Sequence, residues 1–221
     1  MRPSPRIVPA RRRVLILLCV GACAAIVVAT VPVLRQCLLR AAGHALVAQD
    51  PPARADVIVI STDSLGAGVL EADDLVRAGY ATRVAIFDRP PTKSRLEFAR
   101  RGVQGLDLNA ATLQELNALG IAQVEIIPEV TGTEDEGKVL RRWCSAHSVR
   151  SLLFISSPDH SRRARRVLVR ALTSQGVRVM VRSTPFSDFD ADNWWQNRNG
   201  VRIEILESEK LLLDLVRHPF G

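Results

Sequence analysis

Acidic residues are almost missing from the start of this 221-residue chain: residues 1–54 hold one, Asp50, against eight arginines. The 22 basic and 22 acidic groups that remain make residues 55–221 formally neutral, so the overall +7 belongs to the amino-terminal end. A neutral body excludes non-specific duplex binding, which needs a basic face to neutralise several phosphates. Aromatic residues are sparse too, at 5%, which leaves no stacking platform for single strands. No nucleic-acid partner is expected, the Arg-rich stretch 162–170 being the one feature in its favour. Of four cysteines only Cys144 falls in the body, which excludes a zinc or disulfide framework. No metal site is expected, and whether Cys37 and Cys144 pair stays open. No GxGxxG motif follows the first apolar run, so no dinucleotide is indicated and the cofactor is unknown. Lysine is the rarest charge: Lys93, Lys138 and Lys210 stand beside 27 arginines. Internal repeats and low-complexity tracts are lacking.

What is present begins with an uncharged run, Val14 to Leu34, between Arg13 and Arg35. As a helix at about 1.5 Å per residue it matches a hydrocarbon core of roughly 30 Å. Five arginines precede it and only Arg35 and Arg40 follow closely. That asymmetry holds the amino terminus in the cytoplasm and sends the body across the membrane. The expected organisation is a basic tail over 1–13, a membrane anchor over 14–34, a stem over 35–54 and an α/β domain over 55–221. The partner of the anchor is the lipid bilayer, and the expected place is a cell membrane crossed once, with the domain extracytoplasmic. Two other readings stay open: cleavage at Ala22-Cys23-Ala24, and a lipoprotein box ending at Cys23.

The body alternates apolar runs with helical periodicity. Asp56–Ile60 reads as a strand buried on both faces, Arg83–Phe87, Val124–Ile127, Leu152–Ser156 and Val177–Val181 as further strands, and Val201–Leu206 as a sixth. Between them the spacing predicts helices over 65–78, 96–101, 110–119, 133–147 and 161–174, with a last one over 207–217. Thr133 and Glu136 stand at the capping-box spacing. Strands separated by helices imply right-handed crossovers and a mostly parallel sheet between helical layers, a Rossmann-like three-layer α/β sandwich.

Such a fold collects ligands at the carboxyl ends of its strands. Three loops lie there: Ser61 to Gly68 with Asp63, Thr131 to Glu136, and Ser156-Ser157-Pro158-Asp159-His160-Ser161-Arg162-Arg163. In the third, a spacing of three puts His160 and Arg163 on one helix face beside hydroxyls. That pair suits an anion, with His160 as acid or base. The same residues also read as a solvated arginine face next to a cap. Trp194-Trp195 fits either a lid or packing on the end of the sheet.

Taken together, the Ala-Asp-Val-Ile-Val-Ile strand, Leu119-Gly120-Ile121, Thr133 with Glu136, His160-x-x-Arg163-Ala164, Asp192-x-Trp194-Trp195 and Glu207-x-x-Lys210 resemble the YdcF/SanA/ElyC-like family (domain of unknown function 218). The resemblance covers about residues 55–217. It implies a membrane-anchored Rossmann-like domain serving the bacterial envelope, with a phosphorylated small molecule or lipid-linked ligand. By residue matching, His160, Arg163 and Glu136 would be catalytic; Asp63, Thr133, Ser156, Ser157, Glu207, Lys210 and Trp194 would bind the ligand. The chain departs from the family where a Gly-rich loop is expected and Ser61-Thr62-Asp63-Ser64 stands. It departs again at Gly68, where an Arg is common, and at Asn109-Ala110 in place of Glu-Ala. Two functions are therefore expected: an anion-binding or processing domain, and a non-catalytic envelope factor with a degenerate site.

Overall fold

The structure, a computed structural model, describes Leu15, Leu18, Cys19 and residues 30–219 apart from 104 and 106. It divides into two units, Met1–Ala42 and Gly43–Gly221. The apolar run 14–34 lies almost wholly outside the described residues; among the described residues no helix is long and apolar enough to cross a membrane. Helix α1 covers Pro32–Ala45. Residues 43–54, read from sequence as part of a stem, belong to the second unit. Asp50 donates its N–H to the Val181 carbonyl, and its carboxylate accepts from Arg165.

Five strands form one parallel sheet in the order β3-β2-β1-β4-β5. They are β1 (Val57–Ile60), β2 (Val84–Phe87), β3 (Val124–Ile127), β4 (Ser151–Ser156) and β5 (Arg178–Ser183). Every residue of β1 and β2 is buried, because helices cover both faces of the central strands. On one face Val57, Val59 and Phe154 pack against α5 (Thr133–Ala146) and α6 (Pro158–Leu172) through Leu140, Trp143 and Leu168. On the other, Ile58, Ile60 and Ile155 pack against α2 (Leu65–Arg77) and α4 (Leu108–Ala118) through Val69, Ala72 and Leu116. The short α3 (Lys93–Arg100) is capped by Thr92, whose hydroxyl accepts from the Arg95 N–H.

Strand order places the chain reversal between β1 and β4. The chain runs outward from β1 through β2 to β3, then returns to lay β4 on the other side of β1. The loops after these two strands leave the sheet at that point, where a doubly wound α/β fold ordinarily places its ligand.

One expected element is replaced. Val201–Leu206 is not a strand but part of α7 (Arg198–Arg217), whose Asn197 cap accepts from the Gly200 N–H at 2.7 Å. The alternation Val201-Ile203-Ile205 has the period of a strand. However, the buried residues Gly200, Glu204, Glu207, Leu211 and Asp214 recur every three or four positions, and helical burial prevails. The capping box is also replaced. Gly132 stands at the cap of α5, and the Thr133 side chain is turned elsewhere.

Candidate functional site

The loop after β1 and the start of α6 are joined by one carboxylate. Asp63 accepts from the Ser157 N–H at 2.8 Å, the Ser157 hydroxyl at 2.5 Å, the Ser156 hydroxyl at 3.2 Å and the Ser61 hydroxyl. Leu65, just behind it, takes a left-handed backbone with φ 44°, which costs a non-glycine residue about 1–2 kcal/mol. This turn carries the loop back toward β4. Gly68 is fixed by packing: a Cβ there would stand 2.3 Å from Ser64 Oγ and 2.6 Å from the Ile60 side chain. Gly68 is therefore the contact between α2 and β1, and it has no room for a side chain.

His160 is 7% exposed in the first turn of α6. Its Nε2 lies 3.0 Å from Thr133 Oγ1 and 4.0 Å from Asp63 Oδ1, and its Nδ1 lies 3.3 Å from Glu207 Oε2. Arg163, one turn on, donates to Nδ1 at 2.7 Å, to Thr133 Oγ1 at 2.6 Å and to Glu207 Oε2 at 3.0 Å. Arginine always carries its protons, so in the neutral ring Nδ1 accepts and Nε2 bears the hydrogen. Protonating Nδ1 turns that atom toward Glu207 and requires the guanidinium to withdraw. A proton on Nδ1 and the Arg163 hydrogen bond thus exclude one another.

Glu207 is the hub of the opposite side. Lys210 donates to its Oε1 at 2.6 Å while His160 and Arg163 share its Oε2. Glu136 is 1% exposed; Thr62 donates to its Oε1 at 3.2 Å, and its Oε2 has no hydrogen-bond partner. Burial pushes the Glu136 carboxyl up, against the pull of His160 and with the help of Asp63. Asp159 and Glu204 are also pushed up by burial. Each of these three that holds its proton removes a negative charge from around the site.

For His160 burial acts downward, but Asp63, the bond to Glu207 and the charge of Glu136 outweigh it and Arg163, and the imidazole is raised overall. A base raised on folding contributes stability that is full below its unfolded value, about 6.5, and lost as the pH rises through its folded value. Stability of the wild type is expected to decline more steeply above about pH 6.5 than that of His160→Gln, measured by urea unfolding across pH. Parallel profiles for the two proteins would contradict the assignment.

Glu136 is bonded to Thr62 and acts on His160 and Asp63 through charge. The structure joins His160, Arg163, Thr133, Glu207 and Lys210 by hydrogen bonds and brings Asp63, with Ser156 and Ser157, to His160 at 4.0 Å. It leaves Trp194 out: that ring packs with Ala191 and Ile203 on the apolar cluster of Leu46, Phe189 and Leu211, and edge-on to Trp195. Of the lid and the packing readings left open for Trp194, this apolar surface favours packing. Sequence reading missed Glu204, because a strand over 201–206 hides its helical spacing to Glu207. It also missed the cleft beyond Arg163, of about 310 Å³, lined by Lys138, Arg163, Lys210, Leu213 and Arg217 together with Glu134, Asp214 and His218. Glu134, Asp214 and His218 lie close enough to share a cation, but Arg166 and Arg170 already hold the two carboxylates.

The fold and site define a Rossmann-like α/β domain with a buried histidine–arginine–carboxylate network at its switch point. No family model matches the chain, and no curated protein matches it significantly. Among solved structures it is similar to a protein of the universal stress protein family from Burkholderia pseudomallei. Identity there is 16%, with 59% of this chain and 98% of that one covered, at a TM-score of 0.36. It is also similar to the reductase domain of the aureusimine biosynthetic cluster, with 11% identity, 55% and 39% coverage and a TM-score of 0.27.

Proposed function

We propose that this is a single-pass envelope protein of the YdcF-like type whose extracytoplasmic domain binds an anionic, phosphorylated metabolite. The observation that carries the reading is Arg163. It links buried His160 to a cleft where Lys138, Arg163, Lys210 and Arg217 outnumber Glu134 and Asp214. A phosphoryl group in the cleft would take charge-assisted bonds from Arg163 and Lys210, each worth about 1.5–3 kcal/mol. Drawing Arg163 outward frees His160 Nδ1 to take a proton from the ligand or return one.

Titration calorimetry of the full chain with inorganic pyrophosphate and with a short prenyl phosphate tests this. Arg163→Gln is expected to weaken binding tenfold or more, roughly 1.4 kcal/mol, with Arg163→Lys intermediate. Equal affinity in wild type and Arg163→Gln, or none in the wild type, would reject it.

A second reading, a non-catalytic envelope factor, is favoured by Asp63. Its carboxylate already occupies the amide and hydroxyls at the start of α6, where a ligand anion would otherwise bind. Full complementation of an envelope defect by His160→Ala would favour that reading.

A further inference from the structure

Helix α7 is built with its polarity reversed. Its acids Glu204, Glu207 and Asp214 face the body and are buried. Its outward face instead carries aliphatic side chains: Ile205 is 59% exposed, Leu212 62% and Val216 71%, with Leu206, Leu213 and Leu215 also exposed. Ile205, Glu209, Leu212 and Val216 follow one another at spacings of four, three and four, a single helical stripe. The exposed charges on the same helix are Arg198, Arg202, Lys210 and Arg217 against Glu209 alone. A surface helix of a globular domain ordinarily turns its apolar stripe to the core. Here the inward acids are needed elsewhere: Glu207 holds His160, Arg163 and Lys210, and Asp214 holds Arg166 and Arg170. Nothing inside the domain requires the aliphatic face.

We propose that this outward face of α7 docks on an anionic lipid surface. Aliphatic side chains flanked by basic ones are the pattern of a helix lying in a membrane interface, where apolar burial and attraction to anionic headgroups add. The tether agrees with this, on the reading of 14–34 as an anchor. Leu46, packed in one cluster with Leu211 of α7, follows that run after residues 35–45 only. A chain of that length spans at most about 40 Å, which keeps the bilayer within reach of the domain. Leu213 lines both the exposed face and the basic cleft, so docking brings the cleft beside lipid headgroups.

The test uses the full chain without its native cysteines, carrying an environment-sensitive dye at Leu212→Cys, or at Gln114→Cys on α4 in the opposite layer. Each is reconstituted in phosphatidylcholine vesicles with or without phosphatidylglycerol. A quencher on the lipid chains is expected to cut the Leu212→Cys signal about twofold or more when anionic lipid is present, and to leave the Gln114→Cys signal unchanged. Protein that floats with the vesicles but shows no quenching at Leu212→Cys overturns the docking and leaves the anchor standing. A shielded dye insensitive to the lipid quencher, with cross-linking between chains, assigns the face to a second copy and overturns it likewise. Protein that does not float at all overturns both.

Discussion

Glu207→Ala is expected to destabilise the body by about 3–5 kcal/mol, because removing one member of a buried ion cluster leaves the others uncompensated. Arg163 and His160 would then face each other at 2.7 Å without the carboxylate that both approach. For a domain of this size each kcal/mol lowers the melting temperature by roughly 2–4 °C. Glu207→Gln, which keeps shape and one acceptor, is expected to lose less. Burial alone would raise the Glu207 carboxyl. Bonds from His160 and Lys210, with the charges of His160 and Arg163, draw it instead from 4.5 down to about 2. An acid lowered on folding contributes stability that is full above its unfolded value and lost as the pH falls through its folded one. The wild type should therefore lose this contribution between about 4.5 and about 2, a slope that Glu207→Gln lacks. Urea unfolding at pH 7 and at pH 3 measures both, and a change below about 1 kcal/mol at pH 7, the value of an exposed pair, would refute the buried cluster.

The parts of the fold legible in the sequence are those where burial dictates composition. β1, β2 and Leu152–Ile155 of β4 are apolar without interruption because both faces are covered, and glycines at 79, 120 and 176 with positive φ mark the chain reversals. Where burial is one-sided, the pattern misleads. Val201–Leu206 alternates like a strand, yet its inward residues include Glu204, which accepts from Ser208 of the same helix. The α6 partners of Glu207 and Asp214 draw that acidic face inward. The same holds for the site. A spacing of three reveals that His160 and Arg163 share a face, but not that Thr133 serves both of them instead of capping α5. Nor does Ser61-Thr62-Asp63-Ser64 disclose its partner, because the groups Asp63 accepts from on β4 and α6 lie far along the chain.

Asp63→Ala is expected to expose the seat that this carboxylate fills. The Ser157 N–H and the hydroxyls of Ser61, Ser156 and Ser157 would lose their acceptor, a loss of about 1–3 kcal/mol for a buried donor left unmet. A helix N-terminus with free donors favours an anion, so phosphate should restore much of the loss. At ten times its dissociation constant it would return about 1.4 kcal/mol. The wild type, whose own carboxylate holds those donors, should gain nothing at this place. Its response to phosphate should depend on Arg163 and Lys210 in the neighbouring cleft. Melting curves of wild type, Asp63→Ala and Asp63→Ala/Arg163→Gln in rising phosphate separate the two sites. If Asp63→Ala and wild type respond alike, Asp63 does not stand in for an anion. If the variant responds more than the wild type, and keeps that added response without Arg163, the start of α6 is an anion seat closed by the chain itself. Ser61-Thr62-Asp63-Ser64 then has a physical meaning: Asp63 supplies the negative charge which a ligand would otherwise bring.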